Sequence, residues 1–286
     1  EDLAGFVAAC EKFALDELVS AEALAERLGV WFDPDRAFVS LAPEAVGTVW
    51  AALRKLWDMG RLQKVFRIAP VCPRCATPVS GPEAHEGKED RQQAAQREAQ
   101  SVWMGLPWEG EPNTYFLVHL PAPWMALGLV AVAAHPDANY VLVEMGGSPS
   151  GPAARLLMAE AALGRWRDAH PTRSEIQVVR RVRGKSLKDA RYHPPFTFLP
   201  VAEGTGRVVL DGEVPLGEGT GLLPLTPAYD KASLAVAQAH DLPVPQLLDE
   251  WGSLDEIVAS WRGLSPFSAE PLLVEKVALA RRVLGE

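Results

Sequence analysis

Apolar residues recur every three or four positions near both ends of the chain and nearly every second position through its middle. Phe6, Cys10, Phe13, Leu15 and Leu18, with acids between them, predict one or two helices over residues 6–28, stopped at Gly29. Residues 31–35 read as a turn. Ser40 or Ala42 opens a second helix with Pro43 and Glu44 in its first turn; Val46, Val49, Trp50, Leu53, Leu56 and Trp57 share one stripe, and Gly60 ends it. Residues 65–71 read as a short strand, and the polar run 81–100 as a solvated loop or weak helix.

From Ser101 the period becomes strand-like, over residues 101–106, 115–120, 140–145, 176–182 and 207–210, with Gly and Pro between the runs. One helix is expected among them, over 152–167, with Leu156, Ala159, Leu163 and Trp166 on its inner face. Helical spacing returns after Pro245, at 254–261 and 271–284. Short strands around one or two helices predict an α/β fold with a barrel-like β-rich module. The expected division is a helical stem segment at 1–75, the module at 76–245 and a second stem segment at 246–286.

A length of 286 residues suffices for a sizeable core. The net charge of −9 argues against strong non-specific nucleic-acid binding, though not against a local basic patch. Three cysteines do not make a disulfide framework and fit a reducing compartment. The longest apolar run, 124–134, is too short to cross a bilayer, and no secretory leader pattern opens the chain. A cytoplasmic location without membrane or DNA partners is expected. The first residue is Glu1, not Met, as in an excised or processed piece.

Thr114 to Trp124, followed by His135-Pro136-Asp137 and Tyr140-Val141-Leu142-Val143, resembles the threonine-rich editing segment of isoleucyl- and valyl-tRNA synthetases. That family reads Trp-Thr-Thr-Thr-Pro-Trp at this place. Further pieces resemble isoleucyl-tRNA synthetase in the same order: Arg27 to Trp31, Leu56 to Leu62, Pro70 to Ser80, Gly184-Lys185-Ser186-Leu187, Pro194-Pro195-Phe196, Gly219-Thr220-Gly221 and Trp261 to Leu264. The two ATP-handling signatures of such enzymes, His-Ile-Gly-His and Lys-Met-Ser-Lys-Ser, occur nowhere in the chain. This chain alone is therefore not expected to be an ATP-dependent ligase. The resemblance implies the inserted editing domain with its connecting stem, nominally an aminoacyl-tRNA deacylase.

The same resemblance places the editing pocket at Leu120, Pro121, Ala122, Pro123, Trp124, Tyr229 and Ser233. Leu120, Pro121 and Ala122 stand where the family has threonines, and Ser233 where it has the Asp that anchors the substrate ammonium. The family's loop histidines fall on Pro224 and Tyr229. Thr226 and Asp230 are the remaining polar candidates for catalysis; their structural alternatives are a packed strand end and a turn. His119 reads as a pocket-edge or core histidine, and His135 as a turn residue. Impaired or altered hydrolysis follows. The rival readings are a non-catalytic module that binds tRNA, a synthetase or an amino-acid-like ligand, and a fragment of a larger synthetase.

Arg180, Arg181, Arg183, Lys185 and Lys188 form the candidate tRNA-binding cluster, unless they are simply the solvated face of a strand. Cys72 and Cys75 have the spacing of half a zinc knuckle, two ligands short of a tetrahedral site, so no cofactor is expected unless zinc binds there.

Overall fold

Near the N-terminus, the three-to-four periodicity becomes two helices. Helix α1 (Leu3–Arg27) gives way to Gly29 at φ 72°, and α2 (Pro43–Asp58) has Pro in its first turn and Gly60 at φ 67° beyond its end. Ion pairs at i,i+4 support each, Lys12–Asp16 at 2.6 Å and Arg54–Asp58 at 2.9 Å. Exposed pairs of this kind contribute only about 0.3–0.5 kcal/mol. No residue of either helix is buried, and Phe6, Phe13, Trp50 and Trp57 remain exposed. These helices form one unit, Glu1–Arg67; the rest of the chain, Ile68–Glu286, forms the other. The computed structural model describes residues 2–31, 33, 36–65, 67–72, 75–80, 101–145, 154–170, 176–196, 199, 202–279 and 283–285. The expected loop at 81–100 lies outside them.

The second unit opens with a small antiparallel ladder, β1 (Val71–Cys72) with β2 (Thr77–Pro78). The strand expected over 65–71 thus shrinks to its end. Its main sheet contains β3 (Val102–Pro107), β4 (Thr114–Leu120), β6 (Asn139–Met145), β7 (Arg155–Ala159), β8 (Ile176–Arg183) and β11 (Val283–Gly285), in the order β11-β3-β4-β7-β6-β8. A three-stranded sheet joins β10 (Leu222–Leu225), β5 (Ala131–Ala134) and β9 (Arg207–Leu210) in that order. The α/β class holds. The sheets are open, however: β11 and β8 form the two edges of the larger one and do not pair with each other. The barrel is therefore not closed among the described residues.

Alternation builds the layers. Phe116, Val118 and Leu120 of β4 face a core shared with Val132 and Ala134 of β5, whereas Leu117 faces the opposite side with Val141, Leu156, Met158 and Trp166. Ala131 and Ala133 of β5 turn outward to a third cluster with Val236 and Ala237. Those two belong to α4 (Lys231–Ala239), and Trp166 to α3 (Leu163–Ala169). From the segment after Pro245, Leu247, Leu254, Val258, Trp261, Ala269 and Leu273 join the main core of this unit.

Two expectations are corrected. The helix over 152–167 begins, from Arg155, as strand β7, because Leu156 to Ala159 are all buried between β4 and β6 and need no alternation. Only α3 of that helix survives. The helix over 271–284 is α5 (Pro266–Leu279), and Leu284 instead lies in β11, paired with β3. Strands β5 and β10 had no counterpart in the sequence reading.

Candidate functional site

Strand β4 ends at Leu120, and the chain turns through Pro121 and Ala122 into a 3-10 helix, Pro123–Gly128. Beside this turn lie the β9–β10 loop and the first turn of α4. Together they enclose a cleft of about 810 Å³, toward the upper end of the roughly 300–1,000 Å³ usual for small-ligand sites. His119, Leu120, Pro121, Met125, Leu222, Pro224 and Val236 form its walls, with Thr226, Asp230 and Ser233 on the α4 side. Of the positions expected for the editing pocket, Ala122, Pro123, Trp124 and Tyr229 lie outside this lining. Trp124 instead meets the Tyr229 ring edge-on at 4.7 Å, and Phe267 at 6.3 Å. Tyr229 packs over Gly128 so closely that a methyl there would sit 2.6 Å from the ring.

Thr226 and Ser233 are each 1% exposed. Asp230 is the N-cap of α4, its carboxylate accepting from the Ser233 amide at 2.7 Å. A capping carboxylate satisfies an otherwise orphaned helix N–H. His119 lies against Trp103 at 4.7 Å, and burial lowers its pKa from the ordinary 6.5, leaving the ring neutral at pH 7.

The sequence reading missed the acids of the β9–β10 loop. Asp211, Glu213 and Glu218 line the cleft, and no Lys or Arg does. Their signal lay in Asp211-Gly212-Glu213 and Gly217-Glu218, next to the Gly219-Thr220-Gly221 turn. This loop is held firmly. Arg165 of α3 donates to the Leu216 carbonyl at 2.9 Å, the Ala159 amide donates to the Thr220 carbonyl at 2.8 Å, and the Glu213 amide donates to Asp211 Oδ1 at 2.8 Å. Gly219 and Gly221 take φ 50° and 69°, which favour glycine, and a methyl on Gly221 would strike Ala159. The buried Tyr140 hydroxyl donates to the Gly221 carbonyl and accepts from the His135 amide, both at 2.8 Å. His135 itself accepts from the Asp137 amide at 3.2 Å inside the His-Pro-Asp turn.

The basic cluster lies along β8 and the 3-10 turn after it, and acids neutralise much of it. Arg180 pairs with Glu111, Arg181 with Glu160 at 2.9 Å and Lys185 with Asp137 at 2.7 Å. Arg183 donates to the Asp137 carbonyl at 2.9 Å. Lys188 has no ion pair among the described residues. Cys72 ends β1 and Cys75 lies in the turn before β2, beside Thr77 Oγ1 at 3.2 Å. No group of three or more metal-ligating side chains occurs among the described residues, so the pair supplies half a tetrahedral set. His85, the histidine nearest this pair in the sequence and set in a turn-like stretch, lies outside the described residues. No helix among those described is long and apolar enough to cross a membrane.

Comparison with known proteins places this sequence in a family. The chain is 30% identical to the isoleucine–tRNA ligase of Pyrococcus abyssi over 278 residues, covering 94% of this chain and 25% of that protein. The isoleucine–tRNA ligase of Clostridium acetobutylicum is 28% identical over 270 residues, covering 94% and 24%. The chain thus spans about a quarter of the length of the curated relatives it matches. Among solved structures, the P. knowlesi cytosolic leucyl-tRNA synthetase editing domain is 11% identical with a TM-score of 0.44, covering 67% of this chain and 98% of that one. The P. falciparum cytosolic leucyl-tRNA synthetase editing domain gives 10% and 0.43, covering 86% and 96%. The family described as tRNA synthetases class I (I, L, M and V) matches residues 2–261, and the chain belongs to it.

Proposed function

We propose that this chain is an editing-type module that receives the aminoacyl end of a charged tRNA but hydrolyses the ester slowly or not at all. One observation carries the reading: a cleft of the right size exists, and it is lined by Leu120, Pro121 and Ser233 at positions where the family likeness puts threonines and the ammonium-binding Asp. Ester hydrolysis needs a held water and donors aimed at the developing oxyanion; losing a single such donor costs about 10²–10³ in kcat. Replacing a carboxylate by a hydroxyl at a desolvated ammonium costs about 2–5 kcal/mol. The apolar wall keeps room for a side chain and supplies no hydroxyl. Membership of the synthetase family supports tRNA as the partner, with Lys188 and the β8 arginines as the candidate phosphate contacts.

The test is deacylation of Val-tRNA(Ile), Ile-tRNA(Ile) and Thr-tRNA(Val). Release at the rate of a protein-free control, together with salt-dependent tRNA binding, is expected. Enzymatic turnover abolished by Thr226→Ala overturns the reading.

A further inference from the structure

The cleft contains unused polar groups, and they point to a specific ligand chemistry. Asp211 is engaged by the Glu213 amide and Asp230 by the Ser233 amide. The side chains of Glu213 and Glu218 have no hydrogen bond or ion pair among the described residues, although both line the cleft. On the facing wall Thr226 and Ser233 also line it; they are almost wholly buried, and their hydroxyls lack a hydrogen-bond partner among the described residues. Neither hydroxyl is among the side-chain atoms fully buried without a partner, so each keeps access to the cleft, where a ligand can supply the missing hydrogen bond. No cationic side chain lines the cleft to satisfy the two carboxylates, and His119 is held neutral by burial.

We propose that Glu213 and Glu218, with the hydroxyls of Thr226 and Ser233, bind the primary ammonium and adjoining carbonyl of an aminoacyl group, taking over the grip that Ser233 alone does not provide. This rests on reading the cleft as the aminoacyl pocket. The loop suits the role because Arg165 and the Asp211 turn hold its backbone, so only the two glutamate side chains remain to be ordered on binding. Leu120, Met125, Leu222 and Val236 leave an apolar wall for a compact side chain. Binding is thereby separated from hydrolysis: the ammonium keeps an anchor while the oxyanion has none.

The experiment is titration calorimetry of the whole chain with L-valinamide and with isovaleramide, which differs only in lacking the amine. Valinamide is expected to bind at least tenfold more tightly. The Glu213→Gln/Glu218→Gln double variant, altered only at exposed side chains, should erase that difference, and Ser233→Ala should weaken valinamide several-fold with an unchanged circular dichroism spectrum. Equal binding of the two amides, no binding of either, or a double variant that keeps the preference overturns the proposal. A chain that prefers valinamide yet ignores charged tRNA upholds the ammonium site and sinks only the tRNA reading.

Discussion

His119 shows how one residue's surroundings set a measurable property. Burial on β4 lowers its pKa from 6.5, so the unfolded chain takes up a proton at a higher pH than the folded one. The stability tied to the neutral ring is present above pH 6.5 and is lost as pH falls below it toward the folded value. Denaturant midpoints at pH 7.5 and pH 5.5 should therefore differ more for the native chain than for His119→Gln. Gly184 makes a second residue-scale case. The Gly-Lys-x-Leu likeness marks a packing constraint here, since a methyl at Gly184 would collide with the His135 carbonyl oxygen. Gly184→Ala should lower stability by about 1–3 kcal/mol, read as a shift in thermal midpoint. Neither constraint is visible in spacing, because both come from partners distant in sequence.

At the scale of elements, legibility followed burial. Strand β8, with one solvated face, was readable from its alternation, β4, β6 and β9 from their β-branched and aromatic residues and the turn residues between them, and α1 and α2 from one-sided stripes. Strands β5 and β7 are buried on both faces, so Ala131 to Ala134 and Leu156 to Ala159 show no period that separates strand from helix. Leu120 and Ser233, which the family likeness named, line the cleft, whereas Ala122, Pro123, Trp124 and Tyr229 do not. That likeness did not find Glu213 and Glu218, whose turn-like neighbours read only as loop. The cap of α4 gives a direct test: Asp230→Ala should cost about 1 kcal/mol by loss of the bond to the Ser233 amide, again read in the thermal midpoint. Strand β8, a sheet edge, carries paired arginines. Charged residues on an edge also discourage strand addition by other chains, so the cluster has a structural use whether or not RNA touches it.

For the whole molecule, the division at Arg67 separates two very different economies of burial. Among the described residues, every buried hydrophobic one belongs to the second unit, whereas α1 and α2 bury none. A chain limited to residues 68–286 should unfold cooperatively with a thermal midpoint within about 3 °C of the full chain, because deleting exposed surface removes little folding energy. A broad, low-temperature transition would show that the helical unit contributes more than its exposure implies. The net charge of −9 also has a molecular consequence. With most of the β8 cations already paired, the salt dependence of tRNA binding should be shallow, and Lys188→Ala should flatten it further.

The Tyr140 hydroxyl bridges two turns, donating to Gly221, 81 residues along the chain from it, and accepting from His135. Burial raises its pKa to about 12, so the proton stays in place across the usable pH range. Removing that one oxygen as Tyr140→Phe uncouples the breathing of the two turns. Amide deuterium uptake at His135 should accelerate, and the loop bearing Glu213 and Glu218 should lose its fixed bearing on the cleft before the sheets beneath it loosen.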